Sequence, residues 1–159
     1  MNLRERTYLW YLAALRIYAG YYLGNQGYRK FQRDFPKGDW IGRQIGDIAS
    51  LDLLPWYKIF LQSYVAPHSE LVGYLVTIGE IAVGACLILG LLTRFNAAVG
   101  LFMVANYYLA IGMPRGGAMA AQQQIYLLLL AIFLLANPGR TLGLDGLLFR
   151  GAAKGKNSR

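Results

Sequence analysis

The segment from Gly73 to Arg94 reads GYLVTIGEIAVGACLILGLLTR, an apolar run with one full charge, Glu80, close to its middle. The apolar stretch around it, Leu71 to Leu92, matches the ~20-residue helix that crosses a hydrocarbon core about 30 Å thick. A water-soluble helix with one satisfied Glu could have this length, but the rest of the chain argues otherwise. Thr7 to Gly24 is apolar and aromatic apart from Arg16, and neither Phe95 to Met113 nor Gly116 to Ala136 carries a charge. In 159 residues, 56% are hydrophobic and only 15% charged, so four such segments account for most of the chain. The expected fold is an all-α integral membrane protein. It is a four-transmembrane-helix bundle forming one membrane domain over residues 1–159, with spans near 7–27, 70–92, 95–113 and 118–136. Arg4 and Arg6 ahead of an apolar run imitate a secretory signal, yet Arg16 splits that run and no convincing cleavage site follows, so a retained first span is expected.

A net charge of +8 would suggest nucleic-acid binding in a soluble protein. In a membrane protein the lipid surface accounts for it, and no nucleic-acid partner is expected. Arg4, Arg6, Arg94, Arg140, Arg150, Lys154, Lys156 and Arg159 fall on one side if both termini share it. The other side holds Arg29, Lys30, Arg33, Lys37, Arg43, Lys58 and Arg115, mostly in a long loop that also contains Asp34, Asp39, Asp47 and Asp52. Because the positive-inside rule weights short loops and span flanks, both termini are expected in the cytoplasm, with residues 140–159 as a basic tail near anionic headgroups. The loop from 29 to 67 is then extracytoplasmic. Ile41, Ile45 and Ile48 recur there at helical spacing, and LPWYKIFLQSYVAP is apolar and aromatic, so a helical cap on the bundle is expected between spans one and two. Pro36, Pro55 and Pro67 mark its breaks, and Trp10, Trp40 and Trp56 suit the aromatic belts at headgroup level.

The redox equipment is sparse. Cys86 is the only cysteine, so no disulfide or dithiol pair forms within one chain. His68 is the only histidine, so a bis-histidine haem is not available. No metal cluster or phosphate-binding loop stands in the sequence, and any chemistry must use an organic cofactor or a partner.

The polar residues within the spans carry more information. Arg16 and Glu80 lie near the middles of spans one and two, at equal depth whichever way the helices run, and are expected to pair. Asn106 and Tyr126, near the middles of spans three and four, would complete a polar layer at the midplane. Gly73, Thr77, Glu80 and Gly84 share one helical face, as do Arg16, Gly20, Gly24 and Gly27; the small residues let backbones approach. Intramembrane charges cost roughly 2.5 to 3.5 kcal/mol each at the centre of a span, which favours a functional role, with a structural clasp as the alternative.

The stretches LRIYAGYYLGNQGYRKF, GEIAVGACLILGLLTR and NPGRTLGLDGLL together resemble the DoxX family, most closely its DoxD-like branch, the membrane subunit of thiosulfate:quinone oxidoreductase. The positions that match are Arg16, Lys30, Glu80, Arg94, Arg140 and Asp145. The resemblance implies a multi-pass protein of the bacterial or archaeal inner membrane, working with a redox partner subunit and a quinone. On that reading Arg16 and Glu80 are the candidate catalytic residues. Arg16 would donate hydrogen bonds to the quinone head and Glu80 would relay a proton, while Tyr21, Tyr22, Asn106 and Tyr107 would line the quinone site. Two alternatives stay open: a non-catalytic scaffold anchoring a partner enzyme, and a small-solute or proton-coupled transporter acting as a homo-oligomer.

Overall fold

The computed structural model describes residues 3–146 except 36, 38, 39 and 52. Arg150, Lys154, Lys156 and Arg159 of the expected tail lie outside the described residues, as do the side chains of Arg4, Arg6, Trp40 and Arg140. Every described element is helical. Helix α1 is Leu3–Gln32, α2 is Trp40–Ala49, α3 is the continuous run Pro55–Leu89, α4 is Thr93–Arg115 and α5 is Gly117–Ala136. The last three are long and apolar enough to cross a membrane. α1 is not among them, since Arg16 and the many tyrosines of its central stretch lower its mean hydropathy.

Local sequence explains the boundaries. Pro55 opens α3 at a position where its missing N–H is not needed. Gly90, at φ +66°, ends it: the Leu91 N–H reaches back to the Cys86 carbonyl at 2.9 Å, a turn that needs a residue free to adopt the left-handed conformation. Gly116 and Gly117, both at positive φ, separate α4 from α5, and Asn137 at φ +47° followed by Pro138 ends α5. Two wide turns of π type interrupt the long helices, Leu61–Val65 in α3 and Tyr108–Gly112 in α4. Each ends two residues before a proline, Pro67 or Pro114. A proline ring clashes with the carbonyl four residues back, and a widened turn relieves that clash without ending the helix.

α1 and α3 form the most extensive helix pair, running antiparallel along a seam of small residues. A Cβ on Gly84 would lie 2.6 Å from the Gly20 carbonyl oxygen, and one on Gly27 would lie 2.9 Å from the Glu80 Cβ. Backbone contact this close requires glycine. α5 packs on α4, and Ala19, Leu23, Val83, Leu87, Ala97, Val104, Leu130 and Phe133 fill the space between the four long helices. A second core lies at one end. Ile45 and Ile48 of α2 and Tyr57 and Leu61 of α3 are buried there against Leu109, Ala110 and Ile111 of the wide turn in α4. The expected helical content between Trp40 and Tyr64 is therefore present, but in a different form: the segment from Pro55 onward continues directly into α3 instead of lying apart as an interfacial helix. Outward faces are apolar and bare, including Leu75 and Ile78 of α3, Phe102 of α4 and Leu128 and Leu135 of α5.

Candidate functional site

Glu80 projects from α3 into the bundle near the end at which α1 finishes, and is 2% exposed. Lys30, in the last turn of α1, donates to its Oε1 at 2.6 Å, and the Tyr107 hydroxyl of α4 donates to the same oxygen at 2.7 Å. The Lys30 ammonium also approaches the Tyr107 hydroxyl at 3.4 Å and lies 4.7 Å from the centre of the Tyr107 ring, within cation–π range. The other carboxylate oxygen, Oε2, is buried with no hydrogen-bond partner among the described residues, and so is the Thr77 hydroxyl one turn earlier. Beside Tyr107, Asn106 is bound to the second core. The Tyr57 hydroxyl is shared between the Asn106 carbonyl (3.1 Å) and Oδ1 (3.3 Å), while Asn106 Nδ2 donates to Phe102 O at 2.8 Å. An opening of about 230 Å³, lined by Gln26, Arg29, Lys30, Arg33 and Phe35, lies at the end of α1, so Lys30 connects the buried carboxylate with the outside.

Arg16 stands about 20 Å away along α1, at a ~1.5 Å rise per residue. It is fully buried, and its guanidinium donates to the carbonyls of Pro138 at 3.2 Å, Leu142 at 2.9 Å and Ile88 at 3.5 Å. Asp145 completes this knot. Its carboxylate accepts from the Leu92 and Thr93 amides at 2.7 and 2.9 Å, capping the first turn of α4, and its own amide donates to Gly90 O at 2.9 Å. The knot holds Leu92 and Leu142 at φ +46° and +51°, a conformation that leucine adopts only when its surroundings impose it. Nearby, Arg94 donates to Leu135 O at the end of α5.

The expected Arg16–Glu80 pair is therefore not formed. The glycine seam sets the helix register, placing Gly20 against Gly84 and Ile88 and Gly27 against Glu80 and Ile81. Equal distance from span midpoints does not matter once close backbone approach fixes the alignment. Glu80 thus meets Lys30, and Arg16 reaches beyond the end of α3. The expected midplane layer is split for the same reason. Tyr126 stacks on Tyr22 at 4.5 Å between ring centres, with Gln122 donating to the Tyr22 hydroxyl, at a level separate from both charged centres. Tyr21 is 63% exposed and faces outward, away from all three levels. Of the residues expected to form one site, Glu80 and Tyr107 come together, while Asn106 is tied to Tyr57 of the second core.

The sequence marks Lys30 as a loop charge and a family-matching position, but not as a site residue. The signal that would have found it is the face Arg16, Gly20, Gly24 and Gly27, whose next member is Lys30. Laid antiparallel against Gly84, Glu80 and Thr77, that face brings the lysine to the glutamate.

Comparison with known proteins agrees with this architecture at the level of the family. No curated protein and no solved structure gives a significant match. Residues 11–112 match the DoxX family, a stretch that contains the whole glycine seam together with Lys30, Glu80 and Tyr107. This chain, with its long apolar helices, belongs to the DoxX family of membrane proteins.

Proposed function

We propose that the protein is the quinone-interacting membrane subunit of an oxidoreductase, of the thiosulfate:quinone type that its sequence resembles, with Lys30, Glu80 and Tyr107 as its working centre. The observation that carries this reading is Glu80 itself. One carboxylate oxygen is held by two donors, while the other is buried without a partner among the described residues. A buried polar atom left unsatisfied costs about 1 to 3 kcal/mol and calls for an explanation in function, and a ligand or an exchangeable proton supplies one. The donor set suits a quinone head, since Lys30 and Tyr107 offer hydrogens and Glu80 offers a site for a proton. A quinone accepts two electrons and two protons, the electrons coming from a redox partner subunit. Lys30 takes the donor role that the sequence suggested for Arg16, whose two terminal guanidinium nitrogens are committed to carbonyls while its Nε is buried without a hydrogen-bond partner among the described residues. Tyr107 fixes the orientation of the carboxylate and keeps Oε2 free.

Glu80→Gln tests this in the complex assembled in native membrane. The change preserves size and an acceptor for Lys30 and Tyr107 but removes the carboxylate that holds a proton. Quinone should still copurify, and quinone reduction should fall at least about tenfold, a positioned acid or base contributing ~100-fold or more. Undiminished reduction by a folded variant would eliminate the relay.

The same reading makes α1 the fourth span of a multi-pass protein of a bacterial or archaeal inner membrane. Its single mid-helix charge, Arg16, is turned wholly inward, and it presents Tyr11, Leu15, Ile17 and Tyr18 outward. With both termini cytoplasmic, the α2 end forms an extracytoplasmic cap. A second reading, a membrane scaffold for a redox partner, draws its support from the knot around Arg16 and Asp145, whose hydrogen bonds all serve to join chain segments.

A further inference from the structure

We propose that the opening at the end of α1 is a binding site for a phosphate-type oxyanion, carried by a lipid headgroup or free in solution. Gln26 and Arg29 stand one helical turn apart near the end of α1, as do Gln26 and Lys30, Arg33 follows in the turn just past Gln32, and the four line one concavity of about 230 Å³. Every polar group on these four side chains that is suited to an anion is a donor: two guanidinium forks, an ammonium and an amide. Arginine forks match the oxygens of a phosphate two at a time, and the lysine adds a point charge.

Glu80 balances Lys30, but among the described residues no carboxylate balances the two arginines. Arg29, in the last turn of α1, and Arg33, in the turn that follows, line the same opening. The nearest acidic residue in sequence, Asp34, pairs with Lys37 at 3.8 Å. Glu80 engages Lys30 from the buried side and is shared with Tyr107. Basic residues in a last helical turn also complement the helix dipole, but that role requires neither a concavity nor an amide donor. The other opening at this end, about 320 Å³ and lined by Arg43, Gln44, Asp47 and Arg115, brings its own carboxylate. Among the described residues the first opening is lined by no carboxylate, and it is flanked on α1 by the bare rings of Tyr28 and Phe31, suited to the region beneath a headgroup.

This inference does not rest on Glu80 acting as a proton carrier, and its test leaves Lys30, Glu80 and Tyr107 intact. The purified full-length protein is placed in nanodiscs of phosphatidylcholine with or without phosphatidylglycerol, and lipid retained after detergent transfer is counted by native mass spectrometry. In parallel, inorganic phosphate is titrated and followed by phosphorus NMR line broadening. The variants are R29Q/R33Q and, as a control removing the same charge at the same end, R43Q/R115Q. If the headgroup is the ligand, phosphatidylglycerol is retained selectively and R29Q/R33Q weakens retention by roughly thirtyfold, at about fivefold per surface cation, while the control retains it. If a free anion is the ligand, phosphate broadening is lost in R29Q/R33Q alone. Retention and broadening that are both absent, or that fall equally in the two double variants, would overturn the site. Both variants alter exposed side chains, and an unchanged melting temperature confirms that folding is intact.

Discussion

The Lys30 ammonium lies 2.6 Å from Oε1 of Glu80, and the Cα of Gly27, one turn earlier on α1, is close enough to α3 that any Cβ there would collide with the Glu80 side chain. The ion pair and the helix seam are thus one construction. The glycines bring α1 close to α3, and that closeness carries the lysine to a carboxylate that is otherwise sealed from water.

Removing one partner of this pair should destabilise the protein more than removing both. Lys30→Met leaves a buried carboxylate with Tyr107 alone, at a cost below the ~3 to 5 kcal/mol of a fully buried pair because Lys30 is partly exposed. Tyr107→Phe should cost about 1.5 to 3 kcal/mol, the range for a hydrogen bond to a charged group. Combining Lys30→Met with Glu80→Gln should recover part of the first loss. Thermal unfolding in a fixed detergent checks all of these, and strictly additive losses would show that the pair is not coupled.

Gly84→Ala and Gly20→Ala should each destabilise by roughly 1 to 3 kcal/mol, since their new methyl groups would meet backbone atoms of the opposite helix. Gly46→Ala, in α2 with nothing within 4 Å of the new carbon, should instead stabilise by up to about 1 kcal/mol. A seam variant as stable as the parent would disprove the tight α1–α3 contact.

Arg16→Lys should behave nearly as badly as Arg16→Ala, because an ammonium cannot spread its donors over the carbonyls of Pro138, Leu142 and Ile88. Asp145→Ala should cost about 0.5 to 2 kcal/mol by uncapping α4, and more if Leu92 then abandons its left-handed conformation. Hydrogen exchange should locate the loss at residues 90–96 and 138–146. Faster exchange spread evenly over the bundle would show that the knot is not local.

A reporter fused after Arg159 should be active only in its cytoplasmic form, and a thiol placed at the exposed Ser50 should react with an impermeant reagent from the opposite side. Labelling at position 50 from the cytoplasmic face alone would reverse the orientation.

How much of this was legible in the sequence follows from the range of each force. Apolar length and the lack of charge are local properties, so residues 71–92, 95–113 and 118–136 announced membrane-length helices. Glycine and proline set backbone geometry within a turn of themselves, so Pro55 marked a helix start, whereas Pro67, expected as a break, is accommodated inside α3 by the wide turn before it, and the stop at Gly90 was hidden by an apolar run that continues to Leu92. The small-residue faces of α1 and α3 were readable too, as periodicities. Their register was not, because it depends on which glycine meets which across two separate helices, and only the close-packed pair decides that. The same register took Arg16 from Glu80, gave Glu80 to Lys30, turned Tyr21 outward and separated Tyr126 from the charged centres. Asp145 and Arg16 lie far apart in the chain, and their shared knot exists because folding brings the ends of α3, α4 and α5 to one place, where a buried arginine has only carbonyl oxygens to satisfy it.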